Sequence, residues 1–285
     1  MHSFKSSLIP FPLLLCAASV ITIHAQDTRH VTEPHIPTAC VTLDASIAAP
    51  QGNISPQDER KLDTDRIQHA IDNCASGKAV VLRVHGQNNV FLSGPISLRA
   101  GVTLVVDANT ALVSSRDPRL FDTSAGSCGL VSEKGHGCKS LITVNDAPNS
   151  GVMGEGSIDG RGGAKVLGQD VTWWDLAHEA KITDKQQSVP RIIAVDRSNG
   201  FTLYKITLRN SPNFHVAVNN TDGFTAWGVK IMTPKTARNT DGIDPGSSRN
   251  VTIAYCAIHT GDDDVAVKSS KSGPSSNISI LHNHF

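Results

Sequence analysis

Two clusters of carboxylates, Asn239-Thr240-Asp241-Gly242 and Gly261-Asp262-Asp263-Asp264, carry the clearest chemical signal in this chain. Laid one above the other, they place Asp241 over Asp263, Ile243 over Val265 and Ser247-Ser248 over Ser269-Ser270. Such an alignment predicts a stacked repeat with acids at one height on neighbouring turns. Adjacent strands lie about 4.8 Å apart, so Asp241 and Asp263 should approach closely, with Asp262 beside them. Three acids held together cannot ionise independently. One that keeps its proton serves as a general acid, and ionised neighbours activate water, which is the combination that cleaves glycosides. The same residues in a plain loop would be a solvated acidic run or a calcium site. The register and the flanking glycines favour catalysis. One constraint follows from alternation: Asp263 shares parity with Val265 and Val267 and would point inward unless the strand begins after it or bulges. Asp264, Ala266 and Lys268 then run along the outer face.

The elements that would position these acids repeat. The apolar anchors Phe201, Phe224, Val251 and Ile278 recur at intervals of 23, 27 and 27 residues. Each lies in a short strand-like run preceded by polar turn residues. A period in the twenties without helical patterning or a leucine-rich consensus predicts an all-β solenoid, a parallel β-helix with a stacked apolar interior. Asn199, Asn250 and Asn277 are expected to form an amide ladder in its turns. Near the start, Asp63-Thr64-Asp65 caps a helix whose Ile67, Ala70, Ile71 and Cys74 share one face, and Gly77 ends it. This helix is expected to close the open end of the solenoid. Between Gly154 and Pro190 the repeat is interrupted, and Trp173-Trp174 are expected to pack a short helix onto the scaffold rather than stack on sugars.

Residues 1–25 read as a secretory signal: His2 and Lys5, an apolar run from Leu8 to Val20, and a small residue at Ala25. The run is too short to span a membrane comfortably. Residues 26–285 are expected to be one exported domain, a monomer. Positive and negative side chains balance at 26 each, which gives no global signal for nucleic acid. Locally, Lys230, Lys235 and Arg238 precede the first acidic motif and could attract a polyanion. Export permits disulfides. Cys128 with Cys138 and Cys40 with Cys74 are the expected pairs, although spacing alone does not prove connectivity. Cys256 is left as a buried free thiol.

At the two acidic motifs, with Val265-Ala266-Val267-Lys268 following, the chain resembles the polygalacturonases of glycoside hydrolase family 28, especially bacterial secreted members. The likeness extends through Ser93-Gly94-Pro95, Gly154 to Gly162 and Ser211-Pro212-Asn213-Phe214-His215. It implies a right-handed, single-stranded parallel β-helix that hydrolyses α-1,4 bonds of de-esterified pectin with inversion, using no metal or cofactor. It further implies Asp262 as general acid and Asp241 and Asp263 as the water-activating pair, with Asn239 orienting the site or touching substrate. His215, one place before Val216, is expected to face the cleft near the substrate. Family motifs Gly-His-Gly and Arg-Ile-Lys would follow Phe285, so the chain reads as incomplete at its C-terminal end and is expected to be inactive or nearly so. Two alternatives stand beside this reading: a non-catalytic β-helix that binds carbohydrate, and a rhamnogalacturonan or exo-acting hydrolase of the same family.

Overall fold

Short strands that alternate inward and outward side chains cannot satisfy their own backbone groups, so each turn of chain pairs with the turns above and below. The computed structural model describes residues 25–285; the expected signal, all but its last residue, lies outside the described residues. Strands sort into three parallel sheets of eight, six and five strands. The first runs from Ala39–Asp44 to Ser276–Leu281, the second from Val90–Ser93 to Ala257–His259, and the third from Ile96–Ser97 to Ile243–Gly246. Together they are the faces of a right-handed parallel β-helix.

Register sets the repeat. Thr202 pairs with Thr225, Thr225 with Thr252 and Thr252 with Ser279. Phe201, Phe224 and Val251 are wholly buried one above another, and the two Phe rings lie 6.1 Å apart and nearly parallel. Each ring contributes about 2 kcal/mol by leaving water. The turn ladder differs from expectation in one rung. Asn199 lies level with Asp222 and Arg249, one place before Asn250 and Asn277. The latter two hold φ of 53° and 54°, at the height where Gly200 and Gly223 also take positive φ. Short polar Asn tolerates that left-handed turn, and its side chain links coils: Asn250 donates to Asp222 at 2.7 Å and Asn277 donates to Asn250 at 3.3 Å.

The capping helix forms at Thr64–Asp72 and buries Ile67, Ala70 and Ile71. Its Gln68 exchanges two hydrogen bonds with the backbone of Ser97, at the start of the third sheet. Cys40 and Cys74 are bonded, tying the first strand to the end of this helix, and Cys128 bonds to Cys138. Cys256 is free and buried, and burial pushes its thiol up to about 11. In the interrupted segment, Trp173–Ile182 is a helix closed by a reciprocal cap between Thr172 and Asp175. Trp173 is wholly buried, and the Trp174 indole donates to the Ser211 carbonyl at 2.9 Å. After this helix, Gln186–Ser188 pairs antiparallel with Leu130–Ser132, raising a wall beside the third sheet.

Candidate active site

The third sheet forms the floor. Ile96, Ile142, Ile193, Val216 and Ile243 are stacked in register and buried in the core. By alternation the next row, Ser97, Thr143, Ala194, Ala217 and Asp244, faces outward. Small side chains make this row shallow until Asp244 closes it with a carboxylate.

The acidic motifs meet at that end. The Thr240 hydroxyl donates to the Ala237 carbonyl at 2.7 Å and accepts the Gly261 N–H at 3.1 Å, tying one motif to the other. Gly242 and Ile243 donate their N–H groups to the carbonyls of Asp263 and Asp264, at 2.9 and 3.1 Å. Ile243 bridges Val265 in parallel. Asp241 and Asp263 therefore stand level on successive coils, as the alignment predicted. Two glycines permit this approach. A Cβ on Gly242 would lie 2.3 Å from the Asp264 carbonyl oxygen, and one on Gly261 would lie 2.0 Å from that of Ala237. The parity constraint is met because pairing begins only at Val265. Val265 packs on the core, whereas Val267 is exposed, so alternation lapses in this coil.

The acids differ in environment. Asp262 and Asp263 are exposed, and the Asp262 carboxylate accepts the Asp263 N–H at 3.2 Å. Asp264 turns back to close its own loop, accepting the Thr260 N–H at 3.1 Å and hydroxyl at 2.9 Å. Asp241 is buried. Its carboxylate accepts from the Lys268 ammonium at 3.0 Å, and that same ammonium donates to Asp244 at 2.6 Å. Lys268 thus runs along the outer face as expected and bridges two buried carboxylates. Burial opposes its charge, but the two acids outweigh that and hold the ammonium above its ordinary range. Within this cluster the carboxyl group whose proton affinity rises is Asp244, which carried no assigned role in the sequence. Burial pushes it up, Lys268 pulls it down, the charge on Asp241 adds to the rise, and the balance stands at about 7. Its Oδ1 has no partner among the described residues.

His215 does not face the cleft, contrary to expectation. It is wholly buried. Its Nε2 accepts from the Thr233 hydroxyl at 2.8 Å, which leaves the proton on Nδ1, 3.0 Å from the Asp241 carbonyl oxygen. The backbone N–H of His215 donates to that same oxygen at 2.8 Å. Burial draws the imidazole down to about 4. A neutral His215 therefore braces Asp241 from beneath. Its parity one place before the inward-facing Val216 pointed it outward, but it precedes the strand, and the turn there points it inward.

Asn239 has φ of 60° and borders a pocket of about 320 Å³ between the floor and the wall raised by Gln186–Ser188. The Cys128–Cys138 loop supplies His136 to the same pocket. Phe214 lies between two cations: Lys268 Nζ is 4.2 Å and Arg191 Cζ 5.0 Å from its ring centroid. Arg191 was not singled out in the sequence, and Phe214 entered only as part of the stretch Ser211 to His215. Asp244 was legible in principle, since its parity opposite the buried Ile243 puts it on the outer face. Nothing local marks Arg191.

A model of the glycosyl hydrolases family 28 matches residues 74–285. The chain belongs to this family. It is 47% identical over 262 residues to an endo-polygalacturonase of Pectobacterium carotovorum subsp. carotovorum, covering 92% of this chain and 62% of that protein. It is 40% identical to a polygalacturonase of Ralstonia solanacearum, covering 96% of this chain and 61% of that one. The solved structure of a polygalacturonase from Erwinia carotovora ssp. carotovora superposes with a TM-score of 0.84 at 47% identity, over 90% of this chain and 65% of that one. The chain thus spans a little under two thirds of these relatives. Family 28 membership accords with the paired acidic motifs and with a solenoid that carries them on one face.

Proposed function

We propose that this protein hydrolyses α-1,4-galacturonosyl bonds of polygalacturonate. The observation that carries the reading is the register of the two acidic motifs, which stand on successive coils at the end of a shallow groove in a family 28 chain. Relatives named polygalacturonase at 40–47% identity support the substrate class.

In this reading Asp262, exposed at the cleft, protonates the departing glycosidic oxygen. Asp241 and Asp263 take the proton of a water that attacks the anomeric carbon from the opposite side, so the configuration inverts. The Lys268 ammonium, 3.0 Å from the Asp241 carboxylate, fixes the direction in which that carboxylate points. His215 holds the backbone of Asp241 in place. Asn239 contacts substrate in the pocket beside it. The chemistry calls for no metal or cofactor, since carboxylates supply both acid and base. Two disulfides suit an oxidising compartment, and among the described residues no helix is long and apolar enough to cross a membrane. The disulfides fit export to meet an extracellular polysaccharide.

The test is release of reducing ends from polygalacturonate by the whole protein and by its Asp262→Asn variant; residues 1–285 by themselves are expected to release few. The variant should lose at least about 100-fold, the usual contribution of a positioned acid. Undiminished hydrolysis by Asp262→Asn refutes the acid role.

A further inference from the structure

The pocket beside Asn239 contains a cation whose hydrogen-bonding capacity the protein leaves almost unused. A guanidinium has five N–H donors. Among the described residues Arg191 makes one hydrogen bond, from Nε to Asn213 Oδ1, at a long 3.4 Å. It forms no ion pair among them, although Asp241 and Asp244 lie near enough for their charges to act on it. Its plane rests on Phe214, which provides no acceptor oxygen.

Gln187 lines the same pocket, and both its amide nitrogen and its amide oxygen are buried without a partner. Buried donors and acceptors left empty cost free energy that a bound ligand recovers. Donors from a planar guanidinium fork and an amide fit the two oxygens of a carboxylate. A cavity of about 320 Å³ falls in the range that encloses small ligands.

We propose that Arg191, with Gln187, Asn213 and Asn239, forms a subsite that grips the carboxylate of a uronate unit bound alongside the acidic motifs. The proposal rests on the polygalacturonate reading and deepens it, by assigning this groove its own selectivity for a free acid over its methyl ester. Asp241 and Asp244 would repel such a carboxylate, and Lys268, bonded to both, offsets that repulsion.

Calorimetric binding of trigalacturonate and of its methyl ester to the full chain tests this without relying on turnover. Arg191→Met keeps an unbranched stem against Phe214 and removes the fork. It should weaken trigalacturonate binding by about 10- to 100-fold, the range for hydrogen bonds to a charged group. Binding of the methyl ester should change by less than about threefold. Gln187→Glu, which brings a negative charge to the opposite wall, should weaken trigalacturonate at least as selectively. It decides the matter if Arg191→Met fails to fold by circular dichroism. Native affinity retained in a folded Arg191→Met variant, or equal weakening for acid and ester, overturns the subsite and leaves the substrate reading intact. Failure of the native chain to bind trigalacturonate overturns both.

Discussion

Replacing Lys268 with Met should destabilise the protein in a way that depends on pH. In the native protein one ammonium bonds two buried carboxylates, Asp241 at 3.0 Å and Asp244 at 2.6 Å. Breaking a buried ion pair from one side costs about 3–5 kcal/mol. The Lys268 side chain is 42% exposed, so water screens the interaction, and about half that cost is expected. The cost is not constant, because Asp244 titrates near 7 when folded and near 3.8 when unfolded. A raised carboxyl group stabilises the fold at low pH, and that contribution is lost as pH rises through the folded value. At pH 5 Asp244 is mostly protonated, and the variant leaves a single carboxylate without its cation. At pH 8 the native protein has the bond between ionised Asp244 and Lys268, which the variant lacks, because without the pull of Lys268 Asp244 holds its proton to higher pH. The expected loss is about 1 kcal/mol at pH 5 and about 2–3 kcal/mol at pH 8. For a domain of this size these correspond to drops in Tm of about 3 °C and about 8 °C. Thermal melts followed by tryptophan fluorescence at both pH values measure this. Adding Asp244→Asn to the variant should flatten the pH dependence, since the neutral amide cannot ionise. A drop that is equal at both pH values, or larger at pH 5, refutes the shared-cation account.

His215 gives a pH dependence of opposite sign. Its imidazole falls from 6.5 to about 4 on folding, so its stabilising effect is full above pH 6.5 and is lost as pH falls toward 4. The loss approaches about 3 kcal/mol. Urea unfolding of His215→Gln at pH 4.5 and pH 7 should show a smaller acid loss than the native protein shows; an undiminished acid loss counts against a buried neutral imidazole. The two disulfides close loops of unequal length, 34 against 10 residues in separation. Chain entropy then makes Cys40→Ser with Cys74→Ser costlier than Cys128→Ser with Cys138→Ser, by about 1 kcal/mol. Denaturant midpoints in the reverse order contradict that ranking.

Much of this molecule is legible in its sequence because a solenoid is nearly one-dimensional. Each coil contacts only its neighbours, so the spacing of Phe201, Phe224 and Val251 suffices to reveal the fold, and aligning two segments suffices to set Asp241 level with Asp263. The capping helix, the Cys128–Cys138 loop and the buried Trp173 follow from equally local signals, whereas the expected Cys40–Cys74 pair joins residues 34 apart and depends on the fold bringing the first strand to the end of the helix. What the tertiary structure alone decided is where side chains go at the ends of strands, where alternation no longer constrains them. There His215 turns inward beneath Asp241, Asp264 folds back onto Thr260, and the ladder shifts by one residue at Asn199. It also decided which charges meet. Lys268 reaches across to Asp241 and Asp244 on the preceding coil, and Arg191 comes to rest on Phe214. Those encounters depend on side-chain reach and on burial, and burial, which raises Asp244 and lowers His215, exists only once the coils have stacked.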